Sequence, residues 1–138
     1  MSFCRAINCI DGRVQLPVIE YLMDRFGVQY VDSVTEAGPV TRLSGSPGSS
    51  VSASLYRRVE FSIRVHRSRK LAIVAHHDCA GNNVSDHRQH EQLRSCVQAL
   101  ARRYPQMTIL GLWVDANWNV EEVSSAGGSL AQDSDSYA

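Results

Sequence analysis

The chain contains no apolar run near the ~18 residues that a membrane-spanning helix requires, which argues against a helical membrane protein. It also lacks any excess of charge, with 14 Lys and Arg against 14 Asp and Glu. No basic block marks a nucleic-acid groove, and the short stretch "RVHRSRK" at 64–70 reads as the solvated end of a helix. The opening "MSFCRAINCIDGR" carries an arginine and an aspartate where a signal peptide needs an apolar core, so a cytoplasmic home is expected. Cysteine is sparse: Cys4, Cys9, Cys79 and Cys96. In a reducing compartment an even count does not imply disulfides, and such thiols serve as core residues, metal ligands or nucleophiles.

What is present suits one soluble domain. The 138 residues are 43% hydrophobic and 20% charged, enough to bury a real core. Apolar runs at 3–10, 28–34, 70–75 and 107–114 read as strands, with 117–123 as a short edge strand or hairpin partner. Between them, Leu16, Ile19, Leu22, Met23 and Phe26 recur at helical spacing, bracketed by Pro17 and Gly27. Leu55, Val59 and Ile63 predict a second helix over 55–66. Leu93, Val97, Leu100 and Tyr104 predict a third, capped by Ser85 or Asp86 and stopped by Pro105. The stretch "EAGPVTRLSGSPGSSVSAS" at 36–54 is expected to be mostly loop. The alternation implies an α/β domain over residues 1–124, with a mainly parallel sheet of four to five strands flanked by helices. Residues 125–138 are too polar to fold and are expected to form a disordered tail.

Ligand sites in such sheets lie beyond the C-terminal ends of strands. Two reactive clusters fall there: "NCIDGR" after the first strand and "AHHDCAGN" after the third. Cys9, His76 and Cys79 together form a soft sulfur and nitrogen set that favours zinc, and three protein ligands leave a tetrahedral position open. The alternation Cys9-x-Asp11-x-Arg13 could set all three side chains on one side of an extended stretch. An arginine fork there would hold the Asp11 carboxylate, aimed at a zinc-bound hydroxide or at the metal itself. A cysteine nucleophile at Cys79 with His76 as base is the competing chemistry, but it leaves Cys9, Asp11 and Arg13 without a role. Cys4 and Cys96 read as core thiols. His77 is a pocket-wall group, a proton relay or a surface residue, Asp78 a turn cap, and His87 and His90 solvent-exposed. Trp113 is expected in the core and Trp118 at an edge or a partner interface.

C-x-D-x-R at 9–13 followed by H-x-x-C at 76–79 resembles the two signature motifs of the β-class carbonic anhydrases. The resemblance extends through "KLAIVAHHDC" and "ILGLWVDANWNVEEV", so it spans most of residues 3–123. It implies zinc held by Cys9, His76 and Cys79, with Asp11 and Arg13 as the catalytic pair. It also implies reversible hydration of CO2 to bicarbonate by zinc-bound hydroxide, in a homodimer or higher homo-oligomer. The chain departs from that pattern in several places. Eight residues precede Cys9 where the family carries a helical arm, and no upstream glutamine is available for bicarbonate. Gly12 replaces the usual serine or alanine, and "TEAGP" at 35–39 lacks the preceding Arg-Asn of a family loop. These departures leave two alternatives: a zinc hydrolase of carbon disulfide or carbonyl sulfide, and a non-catalytic zinc domain with Asp11 as fourth ligand.

Overall fold

Strands form at the short apolar runs, because a strand covered on both faces must be apolar at consecutive positions. In the computed structural model, which describes residues 1–45 and 48–127, five strands make one sheet in the order β2-β1-β3-β4-β5. The three central strands, β1 (Phe3–Cys9), β3 (Lys70–His76) and β4 (Thr108–Val114), are buried from their second residue onward. The more polar β2 (Tyr30–Glu36) and β5 (Val120–Ala126) take the edges. β2, β1, β3 and β4 run parallel, and β5 returns antiparallel to β4. The expected α/β architecture is therefore present.

Helices cover both faces. On one side α1 (Gln15–Phe26) packs Val18 and Leu22 against Ala6, Ala72, Val74, Leu110 and Leu112. On the other, α2 (Pro39–Ser44), α3 (Ser50–His66) and α4 (Asp86–Arg103) cover Ile7, Leu71, Ile73 and Ile109. The alternate inward residues of β3 and β4 separate into these two cores, as the two-residue period of a strand requires. Gly111 leaves room for α4 against β4, since a Cβ there would lie 2.8 Å from Val97 Cγ2. Ser85 caps α4, its hydroxyl accepting the Arg88 N–H at 3.1 Å. Among the described residues no helix is long and apolar enough to cross a membrane.

Several expectations need correction. The expected stripe of α1 is only partly its buried face: Leu22 and Phe26 pack inward, but so does Val18, whereas Leu16 and Met23 are exposed. Val14, just ahead of the helix, completes that i, i+4, i+8 row and fixes its rotation. The stretch 36–54 is largely helical, holding α2 and the first residues of α3. Its serines and prolines act as helix starts: Pro39 opens α2, and the Ser49 hydroxyl accepts the Ser52 N–H at 3.1 Å to begin α3 at Ser50, not Leu55. β5 runs on to Ala126, where pairing of Ala126 with Ile109 needs no apolar side chain, so the chain is ordered past residue 124. The remainder of the expected tail, 128–138, lies outside the described residues, as do 46 and 47 of the expected loop.

The sheet order positions the site. From β1 the chain crosses to β2 on one side, then passes back over β1 to β3 on the other. That reversal opens a crevice at the C-terminal ends of β1 and β3. Cys9 is the last residue of β1, and His76 is the last of β3.

Candidate metal centre

Three buried side chains converge in this crevice. The ligand atoms of Cys9, His76 and Cys79 all lie within 4.8 Å of one another. Cys9 comes from β1, His76 from the adjacent parallel strand β3, and Cys79 from the turn that follows. Asp78 adopts a left-handed backbone (φ 59°), which folds that turn tightly enough to bring Cys79 back beside His76. The structure thus brings His76 and Cys79, three residues apart, together with the distant Cys9.

Their geometry suits a tetrahedral cation. The two sulfurs stand 3.8 Å apart, and all four cysteines are free thiols. Two zinc–sulfur bonds of ~2.3 Å at a tetrahedral angle span about the same distance. His76 donates from Nδ1 to the His77 carbonyl at 2.8 Å, which fixes the tautomer. Its Nε2 is buried and makes no hydrogen bond. A buried nitrogen without a hydrogen-bond partner, close to two thiols, has the chemistry of a metal ligand.

Surrounding groups hold these side chains in place. Asn8 Oδ1 accepts the Cys9 N–H at 2.8 Å, and Gln15 Nε2 donates to the Cys9 carbonyl at 2.6 Å. Gln89 Nε2 donates to the His76 carbonyl at 2.8 Å. Gly38 (φ 58°) and Gly81 let two backbones touch beside the thiols, because a Cβ on Gly38 would meet the Gly81 oxygen at 2.5 Å. The hydrogen bond from the Cys79 thiol lowers Cys9 to about 4, with His76 and the Gly38 and Asp11 backbones adding to the effect against burial. The same shared hydrogen bond, together with burial, pushes Cys79 upward. Burial disfavours the imidazolium of His76, yet the Cys9 thiolate and the His77 carbonyl outweigh it and raise the group. The opposite shifts of the two thiols favour a thiolate at Cys9, in a place suited to a cation.

Asp11 and Arg13 meet beside this cluster, though not along an extended strand. The chain leaves β1 at Cys9, and residues Gly12–Val14 form one 3-10 turn. Asp11 caps it, Oδ1 accepting the Arg13 N–H at 2.9 Å, so the helical turn brings the guanidinium back onto the carboxylate. Arg13 Nη2 reaches Asp11 Oδ2 at 2.6 Å, and Nε lies 3.1 and 3.2 Å from the two oxygens. That contact holds Asp11 at about 2, well below the usual carboxylate range.

The remaining candidates divide. Cys4 and Cys96 are fully buried core thiols, as expected. His77 Nδ1 pairs with Asp86 Oδ2 at 3.0 Å, near the surface. His87 is exposed, but His90 packs its ring 4.4 Å from Trp113, whose indole is buried. Two residues have larger roles than their sequence suggested. Asp78 accepts from Arg13, and Trp118 lies under the Arg13 guanidinium at 4.5 Å. Both contacts span 65 or more positions of chain, so no local spacing announces them.

A mainly parallel α/β sheet with a buried thiol–imidazole cluster at its switch point is the arrangement to compare with known proteins. Residues 1–124 match the family described as "Putative carbonic anhydrase", and the chain belongs to that family. Its fold is that of β-carbonic anhydrases. One similar structure is from a study of two tetrameric β-carbonic anhydrases of the filamentous ascomycete Sordaria macrospora. It has 10% identity and a TM-score of 0.56, over 90% of this chain and 82% of that one. A carbonic anhydrase from Glaciozyma antarctica aligns with 15% identity and a TM-score of 0.56, over 87% and 81% of the two chains. By sequence, no curated protein matches the chain.

Proposed function

We propose that the chain is a zinc-dependent carbonic anhydrase that interconverts CO2 and bicarbonate, with Cys9, His76 and Cys79 as zinc ligands. The observation that carries this reading is the cluster itself, with sulfurs 3.8 Å apart facing a buried, unbonded His76 Nε2, beside an arginine-held carboxylate. Zinc bound there supplies Lewis acidity that brings the ionisation of water to near neutral pH. Cys9 and Cys79 supply negative charge, and the Nδ1 contact to the His77 carbonyl keeps the His76 Nε2 lone pair aimed. Asp11, ionised throughout the neutral range, would accept a hydrogen bond from the attacking oxygen and so orient it towards CO2. Arg13 holds Asp11 in that orientation through both carboxylate oxygens.

A homodimer or higher homo-oligomer is part of the same proposal, supported by the tetrameric β-carbonic anhydrases that share the fold. The test of function is rapid-mixing CO2 hydration by zinc-loaded protein, with sulfide release from carbonyl sulfide and carbon disulfide measured in parallel. Hydration that disappears on chelation and returns with zinc supports the reading. Sulfide release without CO2 hydration would reassign the substrate.

A further inference from the structure

Among the described residues, three non-glycine positions hold a left-handed backbone: Arg67, Asp78 and Trp118. Arg67 ends α3, a common place for that conformation. The other two, far apart in sequence, meet on one side chain, the guanidinium of Arg13. Asp78 accepts from Arg13 Nη1 at 3.3 Å through Oδ2 and from Nη2 at 3.1 Å through its carbonyl oxygen. Trp118 presents its ring face 4.5 Å from the guanidinium carbon. Non-glycine residues in that conformation cost free energy, and they gather where the surroundings hold them for a purpose.

The turn bearing Trp118 is built to keep it there. Asp115 Oδ1 accepts the N–H groups of Asn117 and Asn119, both at 2.9 Å, and the Asp115 carbonyl accepts the Trp118 N–H at 2.9 Å. The indole also packs against the core that contains Cys9 and Cys79. With Asp11 on Nε and Nη2, all three guanidinium nitrogens are engaged and one ring face is covered.

We propose that Asp78 and Trp118 are positioning residues that fix Arg13 and, through it, keep the Asp11 carboxylate on the arginine fork and off the metal. The inference rests on the zinc centre proposed above. Asp11 lies two residues beyond Cys9, and a carboxylate is itself a competent zinc ligand. Attached to a free-swinging arginine, it would compete for the open coordination position. Attached to an arginine anchored from the His76–Cys79 turn and from the β4–β5 turn, it stays beside that position as a hydrogen-bond acceptor.

The test uses cobalt(II)-substituted protein titrated with thiocyanate and followed by visible absorption, so it needs no turnover. Wild type should show a saturable spectral change. Asp78→Asn, which tolerates the left-handed backbone, and Trp118→Leu should each weaken apparent thiocyanate binding roughly 10- to 100-fold. Trp118→Phe, which keeps a ring under the guanidinium, should stay near wild type. Adding Asp11→Asn to either weakened variant should restore binding, which a merely structural defect would not allow. Wild-type binding in both Asp78→Asn and Trp118→Leu would overturn the proposal. So would failure of Asp11→Asn to restore it, or a wild-type centre already closed to thiocyanate. Wild-type protein that binds thiocyanate as described but does not hydrate CO2 would defeat the functional reading and leave this one standing.

Discussion

Cys9, Cys79 and the two other cysteines show how one residue type divides by surroundings. Cys96 is pushed up to about 12 by burial alone, and Cys4 is equally enclosed. Both should resist an aromatic disulfide reagent in the native protein, with or without chelator. Cys9 and Cys79 should be protected by zinc and should react after its removal, as mass mapping of the labelled thiols would show. Asp11 carries a different prediction. Asp11→Asn keeps the shape but loses the acceptor charge, so zinc content should hold while hydration falls by roughly a hundredfold or more. Its pKa, depressed from 3.8 to about 2, has a defined consequence for pH. The Arg13 contact stabilises the fold fully above the unfolded value, and that contribution is lost as pH falls through about 2. The activity profile in the neutral range should therefore contain no limb from Asp11.

At the scale of elements, the closest backbone approaches carry the sharpest predictions. Gly38→Ala adds a Cβ to a left-handed residue 2.5 Å from the Gly81 oxygen, which must push the Gly38 loop away from Cys9. Weaker zinc retention under competition with a chelator is the expected result. Gly111→Ala wedges α4 from β4 at Val97, far from the ligands, and should cost about 1–3 kcal/mol in urea unfolding with zinc affinity unchanged. Much of this level was legible in the sequence. The central strands announce themselves by apolar runs, and α4 by its stripe and its Ser85 cap. The start of α3 and the whole of α2 were hidden because Ser49 and Pro39 belong to composition typical of loops and become helix starts only in their local geometry. The stripe of α1 shows Leu22 and Phe26 but not the Val14–Val18 row, because Val14 lies outside the helix. Within the site, Cys9, His76 and Cys79 were legible from spacing at predicted strand ends. Asp78 and Trp118 were not, since their link to Arg13 exists only after β3 and the β4–β5 turn are brought to the end of β1.

For the molecule as a whole, the sheet order β2-β1-β3-β4-β5 is what gathers Cys9, His76 and Cys79 into one cluster. Because a cation there ties β1 to β3, zinc should stabilise the fold by linkage. Chelation should lower the melting temperature of wild type, and that shift should be absent in Cys9→Ser, as thermal scans with and without chelator would reveal. If the proposed homo-oligomer forms, light scattering should return a mass above the 15.3 kDa chain. The central claim remains that this crevice holds catalytic zinc, and CO2 hydration under controlled metal loading tests it most directly. Protein carrying about one zinc per chain should accelerate hydration, lose that activity on chelation and regain it with zinc. Fully zinc-loaded protein that hydrates CO2 no faster than buffer across the neutral range would contradict it.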